Sequence, residues 1–448
     1  MPTGLGAVFF VLSLYCFVKG SGHLFSLLVF SGIFQAATVV TGASVQPYYL
    51  VALFFVARCF ADVCLGKPLI RDTKGVLPLL CFGALAVISA FVFPRLFAGI
   101  PVYDPRLGLD DGFFIRPGLQ FSGANKYQAC LMIVNILVVL AAAIVPGKIQ
   151  PACKSFFLSL ALLFAILVLQ FGFLHTGLSF PYGIFNNDQN YTLANADLDV
   201  GLARPNGTFS EPSIAGTATV AACLACLALY LRRGKGLWLG GLSLAGLLLV
   251  ASTTSFIAFA LGALFIVLAF PVFRFPFYLR LIRFKRVATL GGIAAFCLLF
   301  LAIPAIRITI AGQLLDKSSS QSFLARSAAD LYAFSLAYQT HGIGVGLGSN
   351  RPSSLAASLI STMGVMGILL FVLLIARLFR NDLGQYFWLK WAAFGLVLDM
   401  AFGVPDIGFP LLWVLLALVA RAAQSGGAQL PNETSVSKAR LLRLRSAT

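Results

Sequence analysis

Arginines beside carboxylates are the side chains of this sequence best suited to a charged substrate. The first such group is Arg204-Pro-Asn-Gly-Thr-Phe-Ser-Glu211-Pro-Ser. A guanidinium gives bidentate hydrogen bonds to phosphate or carboxylate. A carboxylate can take the proton of a reacting hydroxyl. Pro205 and Gly207 shape a turn. Pro212 suits the first turn of a helix, which leaves Glu211 at that helix's N-terminus. The plainer reading is a helix cap with a surface Arg204–Glu211 pair.

A second group runs from Ser322 to Tyr338. Positions 324, 328, 331 and 335 mark one face of a short interfacial helix. Arg326 and Asp330 stand four apart on it and can pair, at a few tenths of a kcal/mol. The third group is His341-Gly-Ile-Gly-Val-Gly-Leu-Gly348-Ser-Asn-Arg351, with glycine at 342, 344, 346 and 348. It is neither a dinucleotide fingerprint nor a phosphate-binding P-loop. Gly344 and Gly346 either allow a close backbone approach or build a nest of N–H groups for an anion; a flexible connection is the alternative. His341 and His175 sit in outward loops, where imidazole can act as a base near neutrality. Asp399, inside an apolar run, is costly there unless paired or functional. Arg58 and Asp62 read as a boundary pair.

Metal sites are not supported: there is no His-Glu-x-x-His and no acidic triad at ligand spacing. Cys223-x-x-Cys226 lies in an apolar helix and reads as packing rather than redox chemistry. No cofactor is expected.

The elements that must position these groups are membrane helices. The chain of 448 residues is 59% hydrophobic and 10% charged, with a mean hydropathy of +0.93. Soluble domains are far more charged, so soluble enzyme folds are excluded. Thirteen apolar segments read as spans, at 4–18, 22–41, 46–66, 76–94, 127–145, 155–174, 214–231, 237–252, 255–270, 288–306, 353–376, 386–403 and 408–423; merging either doubtful pair leaves twelve. The fold class expected is an all-α polytopic membrane protein, a membrane domain over 1–423 with a basic tail over 424–448. The first segment has no basic flank before it and reads as a retained span. Alternating the loops places most of the 32 basic residues on one side, which is then cytoplasmic. The net charge of +17 is therefore a topology signal, and no nucleic acid is expected. The long loops near 95–126, 175–213 and 307–352 face outward, where loop chemistry is expected.

Taken in order, the Arg204–Ser213 segment, the hairpin Leu-Leu-Val-Ala-Ser-Thr-Thr-Ser and Arg326 ahead of the glycine run resemble the bacterial O-antigen and exopolysaccharide polymerases and the related O-antigen ligases. The resemblance covers roughly residues 200–376. It departs at Thr253-Thr-Ser-Phe256, where the family often has arginine after the serine. It implies a metal-independent glycosyltransferase at the periplasmic face of a bacterial inner membrane. A glycan on undecaprenyl diphosphate would pass to a sugar hydroxyl of the next lipid-linked unit. Arg204, Arg326 and Arg351 or Arg116 would stabilise the leaving diphosphate, and Glu211 or His341 would take the proton. Asp330, Gly344 and Gly346 would help hold the substrate. The implied partners are the undecaprenyl-diphosphate-linked oligosaccharide, membrane lipid and a chain-length regulator. An O-antigen ligase, a flippase of lipid-linked sugars and a non-catalytic assembly protein are the alternatives.

Overall fold

The computed structural model describes residues 1–69, 76–105, 115–176, 178–187, 204–269 and 321–427. Among these, besides the single turns Tyr182–Phe185 and Gly384–Tyr386, the helices are, in chain order, α1 (Gly4–Lys19), α2 (Ser21–Ser31), α3 (Pro47–Cys64), α4 (Val76–Leu96), α5 (Gly123–Ile144), α6 (Gln150–Thr176), α7 (Pro212–Arg233), α8 (Leu237–Val250), α9 (Thr253–Ala269), α10 (Gln321–Gln339), α11 (Leu355–Arg380), α12 (Trp388–Gly403) and α13 (Pro410–Gly427). The protein is an all-α polytopic membrane protein. Six helices among the described residues, α3 to α7 and α11, are long and apolar enough to cross a membrane. Large apolar side chains such as Phe60, Leu77, Leu158 and Leu373 point outward, where only lipid would cover them.

The interior is built on α7 and α13. From Leu411 to Val419 every residue of α13 is buried, and α7 packs against α8, α9 and α12. In a membrane, helices associate by close packing, and small residues allow it. The alanine, glycine and threonine of α7 serve this end: Gly216 abuts Ser255 of α9, and a Cβ on Gly395 of α12 would stand 2.7 Å from the Leu224 side chain. Thr217 donates to the buried Asp399 carboxylate, which ties α7 to α12.

One expectation is corrected, and two local features go beyond the sequence reading. The segment 22–41 is not one span. The helix α2 ends at Ser31, and its eleven residues cover only ~16 Å. Residues 32–39 are buried without being helical. Irregular backbone at this depth needs partners from the protein, and it has them: Ala36 N donates to Thr208 O at 3.0 Å, and Thr208 Oγ1 donates to Ile33 O. The expected span 353–376 is present as α11, with a break at Gly364, whose φ is 68° and ψ −164°. The glycine run satisfies the break, with Val345 N and Gly346 N donating to Ser361 O and Thr362 O at 2.7 and 2.9 Å. Finally, the buried face of α10 is not the one that periodicity marks. Ala325, Ala329, Ala333 and Leu336 are buried, while Leu324 and Leu331 are exposed; small side chains let α10 lie close to α11 and leave the bulky ones outside. The expected span 288–306 and the tail beyond 427 lie outside the described residues.

Candidate functional site

Residues 205–210 form a buried anchor rather than a surface turn. Gln170, fully buried in α6, holds it: Gln170 Nε2 donates to Asn206 Oδ1 at 2.6 Å, and Gln170 Oε1 accepts from the backbone N–H groups of Asn206 and Gly207 at 3.1 and 2.7 Å. Gly207 takes φ +63° against Leu163, where a side chain would not fit. The anchor ends at Glu211, the extended N-cap residue of α7, whose side chain makes no cap bond. Instead Glu211 Oε2 accepts from Ser213 Oγ at 3.1 Å and from Arg326 Nη2 at 3.0 Å. The expected Arg326–Asp330 pairing is thus replaced by an ion pair across 115 positions. Arg204, half-buried at the head of the anchor, is not among the cavity-lining residues described below.

Asp330 has a different task. Its Oδ1 accepts from Ser353 N at 2.6 Å, fastening α10 to the chain two residues beyond Arg351. Arg351 is further held by its N–H to Tyr103 O at 3.2 Å and by Nη1 to Pro105 O at 3.4 Å. Asn125 caps the start of α5 and reaches Leu347 O and Ser349 Oγ, both at 2.7 Å. Arg116 is exposed. It donates to Tyr103 Oη at 2.9 Å and lies 4.1 Å from the centre of the Tyr332 ring, clamped beside the site rather than within the cavity.

The glycines make close contacts. A Cβ on Gly346 would meet Ser89 O at 2.6 Å, and one on Gly344 would meet the Thr362 backbone at 2.8 Å. Their N–H groups are occupied: Gly344 N donates to Thr340 Oγ1 at 3.0 Å, and Gly346 N to Thr362 O. No open anion nest remains at these two positions. His341 sits exposed at φ 53°. His341 N donates to Tyr338 O and Gly342 N to Ala337 O, so the histidine closes α10 as a left-handed cap.

Glu211 and Arg351 line one cavity of about 660 Å³, together with Asp406, Gln35, Gln128 and Gly348. The first turns of α5, α7 and α11 reach it through Gly123, Ile214 and Ser358. Helix N-termini carry partial positive charge and favour anions. Burial alone would raise the Glu211 carboxyl. Arg326, Arg351 and the bond from Ser213 outweigh it and hold the group below the ordinary carboxylate value. Asp406 shows the opposite balance: burial raises it, although the Gly408 N–H and Arg351 pull the other way.

The geometry therefore joins Glu211, Arg326 and Arg351, with Asp330 as their fastening. Sequence reasoning missed Asp406 and the supporting Asn125 and Gln170. The signal for Asp406 was its setting, Gly403-Val-Pro-Asp406-Ile-Gly-Phe-Pro410, an acid in a turn between two apolar runs. Such an arrangement can bind a polyanion at arginine and move a proton at a carboxylate. Among the described residues no three His, Cys, Asp or Glu side chains converge as a metal site. No known family model matches the chain, and no curated protein matches it.

Proposed function

We propose that the protein is a polysaccharide polymerase that joins undecaprenyl-diphosphate-linked repeat units. The observation that carries this reading is the Glu211–Arg326 ion pair at a cavity shared with Arg351. Glu211 comes from the first segment of the resemblance, and Arg326 and Arg351 flank the glycine run of its last; the hairpin between them supplies no group here. Arg351 and Arg326 would bind the diphosphate and stabilise the charge that grows on it as the glycosidic bond breaks. Glu211 holds Arg326 in place for that task. The apolar outer surface would accommodate the polyprenyl chain.

The charge asymmetry supports a bacterial inner membrane with the cavity at the periplasmic face and the C-terminal tail in the cytoplasm. The lipid-linked oligosaccharide and membrane lipid are the proposed partners, with a chain-length regulator as a protein partner.

The test is glycan length in cells lacking the protein, complemented with wild type, Arg351→Ala or Arg326→Ala at matched membrane levels. Long chains with wild type and single repeat units with either variant are expected. Long chains left on the carrier in the deletion strain would point to a ligase. Cytoplasmic build-up of lipid-linked units would point to a flippase. Normal chains with both variants would remove the site assignment.

A further inference from the structure

We propose that Asp406 is the general base of this site, taking the proton of the acceptor sugar hydroxyl, an assignment that rests on the glycosyl-transfer reading above. Its geometry separates it from Glu211. Asp406 lies in the turn ahead of α13, on the wall of the cavity that Glu211 and Arg351 also line. Asp406 Oδ1 accepts from Gly408 N at 2.8 Å, which locks the carboxyl in a turn. The bond from Gly408 falls on Oδ1 of the carboxyl. Tyr49 Oη donates to Gly408 O at 2.7 Å, and Gln128 stands against the same glycine, so this wall is firmly built. The Glu211 carboxylate, by contrast, is tied into an ion pair with Arg326, with Ser213 on the same oxygen.

The proton balance favours the same choice. A base works best when its proton affinity approaches that needed at the working pH. Two carboxyls whose surroundings push them apart divide into a fixed anion and a proton carrier. Glu211 is held low by the arginines, and Asp406 is raised by burial. Arg351 on the glycine segment and Tyr49 on α3 act on Asp406 electrostatically, and Glu211 at the head of α7 and Tyr127 with Gln128 on α5 line the same cavity. In the reaction the acceptor oxygen bonds to the anomeric carbon as its proton passes to Asp406. The bond from that carbon to the diphosphate oxygen breaks, and its electron pair leaves with undecaprenyl diphosphate. Asp406 then releases the proton to water.

The test uses purified full-length protein in lipid nanodiscs. The substrate is the lipid-linked glycan pool extracted from cells that lack the protein, and elongation rates are followed from pH 5 to 9. Asp406→Asn keeps an acceptor for the Gly408 N–H and so keeps the turn, but it cannot take a proton. It should lower kcat at least 100-fold with little change in KM. Asp406→Glu should recover a tenth or more of the wild-type rate. Because a base must be deprotonated, wild-type kcat should fall toward acid. Arg351 lowers Asp406, so Arg351→Gln should move that fall to higher pH. Asp406→Asn within threefold of an active wild type overturns the proposal and leaves the transferase reading standing. Equal losses in the Asn and Glu variants mark a structural role and overturn it as well. A wild type that elongates nothing overturns the transferase reading, and this assignment with it.

Discussion

The segments 204–211 and 341–351 both lead from a loop into a helix, yet they are held in different ways. The first is held by side chains: Asn206 and Thr208 bond to Gln170 and to the unwound end of α2. The second is held chiefly by close backbone packing, its glycines pressed against α4, α5 and the break in α11, with Asn125 and Thr340 side chains bonding to it. In both, the conspicuous residues are scaffold. The charged groups stand at the ends, Glu211 in one and Arg351 in the other, and both line one cavity. Residues that fix the loops and the charged residues that line the cavity are thus adjacent in sequence but distinct in setting.

That division can be broken by substitution. The largest effect is expected at the acting ends: Arg351→Ala should lower chain elongation about 10²–10³-fold while the protein stays folded, the range for losing one preorganised donor to a developing charge. Comparable activity in the variant, measured on the extracted lipid-linked pool, would place Arg351 with the scaffold. Among scaffold residues, Gly364→Ala should be worst. It needs φ +68° and would drive a Cβ into Gly342 O, costing about 2–4 kcal/mol from strain and overpacking. Thermal unfolding in detergent would register this as a lower Tm. Gln170→Leu should cost about 1–3 kcal/mol, because it strips partners from buried Asn206 and Gly207 groups.

Smaller effects sharpen the comparison. The folded-state pKa of Glu211 is depressed, so its ion pair adds stability above the unfolded carboxylate value, about 4.3. That stability is lost as pH falls through the folded value. Glu211→Gln should therefore flatten the decline of Tm below about pH 4; an unchanged decline would assign it to other carboxylates. The least effect is expected at His341→Asn, since asparagine tolerates the left-handed cap. Elongation should stay within about twofold, and a pH profile altered by this change would return His341 to the chemistry.

Much of the framework was legible. Long apolar runs announced α3, α4, α5, α6, α7 and α11, because a membrane demands continuous apolar length. The turn at Pro205–Gly207 and the helix start at Pro212 followed from local backbone chemistry. Less legible were the breaks. Hydropathy averages over residues 32–41 and across Gly364, so neither the unwinding of α2 nor the kink in α11 shows in it. The inward face of α10 was not legible either, since periodicity marks the largest apolar side chains, and here Leu324 and Leu331 lie outside while alanines pack inside.

What the sequence by itself determined is the membrane setting, the helical class and the identity of the charged residues near the loop ends. These depend on composition and short-range pattern. Which charges meet was decided only by tertiary structure. Arg326 had a local partner in Asp330 and took Glu211 instead, because Asp330 is drawn to Ser353 N and the buried anchor carries Glu211 to α10. Asp406 became part of the same cavity through the packing of α13 at the centre of the bundle. Electrostatic pairing depends on distance in space, and folding sets that distance between residues that spacing along the chain leaves far apart.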